Sequence, residues 1–106
     1  MSGGFPTTAL LVLWLMLEPA LAQQHQALIT GIGRMSCAHW LSQSVNEGEG
    51  WILGCWSGLN YANARTVGQH TDGEGMIAEV RKVCASRPSM TLAGATFTAY
   101  SEMASK

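Results

Sequence analysis

Three cysteines and three histidines are the residues of this chain best suited to chemistry, and their spacing decides which chemistry they could do. Cys37 and His39 pair a nucleophile with a base on paper. Two residues apart on a helix, they do not face each other, so neither activates the other. His25, His39, His70, Cys37 and Cys84 carry the donor atoms that zinc takes. No C-x-x-C or H-x-x-x-H spacing joins them, so a local zinc site is not expected. Asp72 and Glu74 supply too few oxygens for a calcium loop, which needs ligands at fixed steps. Glu47 and Glu49 sit two apart on a glycine-rich stretch and read as a solvated turn rather than the facing carboxylates of a glycosidase. Gly31-x-Gly33 lacks the third glycine of a dinucleotide fingerprint, and the C-x-x-C-H of haem attachment is absent. The expectation is a protein with no catalytic residue, no metal and no cofactor, and so not an enzyme.

Covalent stapling is the other thing cysteines do. Three pairings of Cys37, Cys55 and Cys84 are formally open, and each leaves one thiol over. Cys37 and Cys84 each fall on the apolar side of an amphipathic segment, one near a helix start and one near a helix end. Antiparallel or crossed packing would bring them together, which makes Cys37–Cys84 the expected disulfide. Cys55 is then a free thiol, read as a buried small hydrophobe, with an intermolecular bridge or a partner-facing thiol as the other readings.

The elements that must position these residues follow from periodicity. Cys37, Trp40, Leu41 and Val45 share one helical face, and Ser36 is placed to cap the helix before the glycines at 48 and 50 stop it. Trp51 to Ala64 (WILGCWSGLNYANA) is the densest apolar run outside the N-terminus and reads as a central helix. Its Gly54 and Gly58 lie four apart, and their cost of about 1 kcal/mol each in a helix interior points either to a small-residue face for close helix approach or to a shorter helix. Residues 65–71 read as a loop, and Thr71 to Glu74 as a capping box for a helix ending before Pro88. That helix carries its stripe on Met76, Ile77, Val80, Val83 and Cys84. Ser89 is placed to cap a last helix with Leu92, Thr96, Ala99 and Met103 inward, beside Ala93, Phe97 and Tyr100. The expected fold is all-α: a small four-helix orthogonal bundle over residues 36–106, stapled by one disulfide.

Ahead of it, Ala9 to Leu17 is a short apolar core followed by Ala20-Leu21-Ala22, the layout of a secretory signal peptide over residues 1–22 with cleavage after Ala22. Residues 23–35 read as a loosely held leader. A periplasmic or secreted location follows, which suits a disulfide-dependent small domain. After cleavage, six basic side chains stand against six acidic ones, so the mature net side-chain charge is zero. No basic run exists, which argues against nucleic acid and against a membrane surface as partners.

Ser36-Cys37-x-x-Trp40-Leu41, Gly54-x-x-Ser57-Gly58-x-Asn60, Asp72-x-x-Gly75-x-x-x-x-Val80-x-x-x-Cys84-x-x-x-Pro88 and Leu92 to Ala95 together resemble small exported bacterial proteins of the HdeA-like type. The resemblance covers roughly residues 36–96. It implies a four-helix fold with a single disulfide, matching Cys37 and Cys84. Cys55-x-x-Gly58 is also similar to a segment of the type VI secretion amidase immunity proteins, which are small, periplasmic and helical; Trp56-Ser57 stands where that segment has Gly-Tyr.

Two functions emerge as expectations. The first is an exported, non-enzymatic binding protein of the immunity or inhibitor kind, with an unidentified protein partner. Trp51, Trp56 and Tyr61 are its candidate partner-binding residues, because aromatic side chains dominate interface hot spots; a homodimer is also open. The second is a periplasmic stress chaperone of the HdeA kind. Sparse charge opposes the second, since only 12% of the chain is charged and few carboxylates are there to drive acid opening.

Overall fold

The computed structural model describes residues 27–43 and 46–106. The leader expected over residues 1–22, its cleavage after Ala22, and Ser44–Val45 at the end of the first expected helix lie outside the described residues. Among the described residues the fold is all-α. A 3₁₀ turn (Gly31–Arg34) precedes four helices: α1 (Cys37–Ser42), α2 (Glu47–Asn63), α3 (Gly73–Ser86) and α4 (Leu92–Ala104). Ile52, Trp56, Val80, Leu92, Ala95 and Ala99 form the centre of the core, and the disulfide between Cys37 and Cys84 lies fully buried beside them.

Helix α1 starts where Ser36 allows it: its hydroxyl accepts from the His39 N–H at 3.0 Å. The caps of α3 and α4 differ from expectation by one or two residues. Asp72, not Thr71, caps α3, its carboxylate accepting from the Gly75 N–H at 2.8 Å. A carboxylate there also meets the positive end of the helix dipole, an advantage a hydroxyl lacks. Thr91, not Ser89, caps α4, accepting from the Gly94 N–H at 3.1 Å. The chain before it is committed elsewhere. Met90 and Pro88 carbonyls accept from Cys37 and Ala38, and Leu92 donates to Met35, around an isolated bridge between Ser36 and Thr91. The starts of α1 and α4 are thereby tied together, which seats Cys37 next to the end of α3.

The largest correction concerns the glycines at 48 and 50. They do not stop a helix; they lie in the first turn of α2, which begins four residues earlier than expected. The physical reason is Trp40. A Cβ on Gly48 would overlap the Trp40 indole, so glycine at 48 is what lets α2 lie against that ring. Arg81 then covers Trp40, its guanidinium 4.6 Å from the ring centroid, and pairs with Glu49 at 3.1 Å. One side-chain stack therefore joins α1, α2 and α3.

The described end of the leader is held rather than loose. Ile32 is buried in the core, and the Trp51 indole N–H donates to the Thr30 carbonyl at 3.0 Å. A Cβ on Gly33 would collide with the Trp51 ring, so the turn is seated on that residue.

Among the described residues, Gly54 and Gly58 form no close helix contact: nothing there lies within 4 Å of a Cβ built on either, and both are exposed. The core stripe of α2 runs through Gly48, Ile52 and Trp56, and two residues further on is about 200° around the helix. With no steric reason for glycine, Gly54→Ala and Gly58→Ala should each raise stability by up to about 1 kcal/mol, read as a higher urea midpoint.

Candidate functional site

Helix α2 ends in a Schellman closure with alanine where glycine usually sits. The Arg65 N–H reaches back to the Asn60 carbonyl at 2.9 Å, and Ala64 takes a left-handed conformation with φ of 51°. That conformation costs an L-residue about 1 kcal/mol. The segment after it, Arg65 to Thr71, is a loop built around one residue. Val67 is buried, and side chains satisfy both of its backbone polar groups. Asn60 Oδ1 accepts from the Val67 N–H at 3.0 Å; Asn60 Nδ2 and Trp56 Nε1 donate to the Val67 carbonyl at 3.1 and 2.9 Å.

Asn60 is itself positioned from across the fold. The Tyr100 hydroxyl of α4 donates to Asn60 Oδ1 at 2.9 Å, and the Tyr100 ring meets Trp56 edge-on with centroids 5.3 Å apart. Gly68 completes the turn with φ of 91°, and a Cβ there would crowd Met76. Two further backbone bonds, Gln69 to Thr66 and Thr71 to Gly68, close the loop on itself. Every side chain holding Val67 is buried or half-buried, whereas Arg65, Thr66, Gln69, His70 and Thr71 face solvent. A rigid inner layer thus carries a polar outer one.

Beside this loop lies a groove of about 790 Å³. The loop lines it together with Gly75, Ala78 and Glu79 of α3 and with Met103, Ala104 and Lys106 at the end of α4 and just beyond. Arg65 crosses its rim and donates to the Ala104 carbonyl at 3.4 Å. Arg65, Lys106, Gln69, Thr66 and Thr71 line it with hydrogen-bond donors, and among the described residues Glu79 is its only side-chain carboxylate. Such a lining can hold polar or anionic groups. Among the described residues, no three of His, Cys, Asp and Glu gather within reach of one metal ion.

The residues singled out from sequence are scattered. Cys37 and Cys84 are joined in the disulfide, so the Cys37 thiol is not available as a nucleophile. Cys55 is the free thiol, half-buried on the flank of α2; burial pushes its thiol up, which keeps it protonated and weakly nucleophilic at neutral pH. Trp56 points into the core and anchors the loop. Trp51 packs on the 3₁₀ turn, and Tyr61, 92% exposed, stands free on the last turn of α2. His39 is half-buried in α1, His70 lines the groove, and His25 lies outside the described residues.

Sequence reasoning missed Asn60, Val67, Arg65 and Tyr100 as a group. One signal was there: Asn60 is four residues after Trp56, on the inward side of an apolar helix, where a polar amide needs a partner. Asn60→Ala removes the partner of the buried Val67 N–H and one of two donors to its carbonyl. The expected cost is about 2–3 kcal/mol, with the amide exchange of residues 65–71 rising well before global unfolding. Compared with known proteins, the chain matches no family model, no curated protein and no solved structure.

Proposed function

We propose that this is an exported, non-enzymatic binding protein of the immunity or inhibitor kind, and that its partner is a protein met outside the cytoplasm. The observation that supports this reading most is the Arg65–Thr71 loop. Trp56, Asn60 and Tyr100 hold it from beneath while its polar side chains face outward beside a groove. A loop ordered in advance loses little conformational entropy on binding, so more of the contact energy appears as affinity. Left-handed Ala64 fits the same picture, since strain of this sort is kept where the surroundings over-determine a functional conformation. Tyr61, at the root of the loop, is an exposed aromatic available as an anchor.

Export rests on the leader, the mature domain being a small four-helix bundle whose buried disulfide suits an oxidising compartment. An HdeA-like chaperone activated by acid is the weaker reading. Only 12% of the chain is charged, and Glu47, Asp72, Glu74 and Glu102 all lie exposed, outside the buried core.

Affinity capture from periplasmic extract with the tagged protein tests the proposal. A stoichiometric protein partner is the expected result. Failure to recover one across several growth conditions would overturn it.

A further inference from the structure

Among the described residues, the groove beside the loop is lined by two cationic side chains, Arg65 and Lys106, and one carboxylate, Glu79. Among the described residues, the cations that form ion pairs are Arg81, with Glu49, and Lys82, with Glu79. Arg65 and Lys106 form none, and both line the groove. The one side-chain carboxylate in the lining, Glu79, is already countered by Lys82 at 3.0 Å. Arg65 spends one N–H on a long bond to the Ala104 carbonyl and keeps the rest of its guanidinium fork unengaged by the described residues. Around it stand neutral donors: the hydroxyls of Thr66 and Thr71 and the amide of Gln69.

We infer that this groove receives an acidic segment of the protein partner, with an Asp or Glu carboxylate seated on the guanidinium of Arg65. The inference rests on the binding-protein reading above and names the chemistry of what binds. A planar guanidinium matches a carboxylate in a bidentate pair, which a lysine cannot reproduce. At about 790 Å³ the groove has room for several side chains rather than a single ion. Nucleic acid fits poorly: tracking a phosphate backbone takes a row of cations, and the groove offers two. Asn60 acts here as a positioning residue, since the loop it pins begins at Arg65.

The test is an NMR titration of the ¹⁵N-labelled protein with a blocked peptide of alternating Asp and Glu. A matched Asn/Gln peptide and an oligothymidine run in parallel. Amide shifts should move at residues 64–71, at the start of α3 and at the end of α4, with the acidic peptide alone, and should weaken as salt is added. Arg65→Ala should lower the peptide affinity by about tenfold or more, and Arg65→Lys should restore only part of it, because lysine lacks the fork. Arg65 is exposed, so both variants should melt with the wild type.

Equal shifts with the neutral peptide, tighter binding of the oligothymidine, shifts on another face, or an unaltered titration of Arg65→Ala would each overturn the inference. A partner captured equally well by wild type and Arg65→Ala removes the groove and leaves the binding function standing. Peptide binding at the groove with no partner ever captured does the reverse.

Discussion

Replacing Cys37 and Cys84 together by alanine, or reducing their disulfide, should cost about 4 kcal/mol and leave much of the protein unfolded at about 37 °C. The two cysteines are 47 residues apart in sequence, so the bridge closes a loop that spans all of α1 and α2 and most of α3. Constraining a loop of that length in the unfolded chain accounts for the figure in the chain-entropy model. Small domains have total stabilities of only about 5–15 kcal/mol, so the bridge carries a large share. Its location adds to this. Cys37 is the first residue of α1, Cys84 lies in the last turn of α3, and both sulfurs are buried against the core. Helix α1 has six residues, too few to persist without tertiary support, and the disulfide together with the tie to the start of α4 provides it. Circular dichroism melts with and without reductant measure the effect. Cys55→Ser is the control: its oxidised form should keep most of the stability and should lose about as much as the wild type on reduction. A double-alanine variant within about 1 kcal/mol of wild type would show that helix packing alone holds the fold.

How much of this was legible in the sequence depends on how local the cause is. The stripe of α3 was readable because Ile77, Val80 and Cys84 repeat at helical spacing within a single element, and Arg87-Pro88 marks its end. The Cys37–Cys84 pairing was readable from two such stripes. What misled was glycine. At 48 it reads as a helix breaker, and only the Trp40 indole of α1 lying across it reveals a contact that excludes a side chain. At 54 and 58 it reads as a packing face, yet no described helix comes near. The same residue type had opposite meanings, decided by neighbours that the local pattern does not encode. The caps failed more mildly: Thr71 and Asp72 are adjacent and both competent, and geometry picks the carboxylate. The candidate site was least legible of all. Asn60 meets Tyr100 across 40 residues of sequence, and Val67, an isolated valine in a polar loop, is buried only because Trp56 and Asn60 meet its backbone.

That arrangement makes Trp56 the residue whose loss should reach furthest. Its side chain is 1% exposed at the centre of the core, between Tyr100 and the Val67 loop. Trp56→Ala removes a large buried ring and leaves a cavity that the helices can close only in part, a cost of about 3–5 kcal/mol. It also takes away one of two donors to the Val67 carbonyl, so the loop should open together with the core. Trp56→Phe separates the two effects. It keeps most of the ring packing against Tyr100 and loses the indole N–H, so it should cost less than alanine while still loosening residues 65–71. Urea unfolding gives the first quantity, and hydrogen exchange at the loop amides gives the second. If the partner surface is the loop, binding should follow the exchange rather than the stability: Trp56→Phe should weaken capture of the partner even where the protein remains fully folded. Capture that is unaltered in a folded Trp56→Phe protein with a freely exchanging loop would mean that the partner does not read this surface.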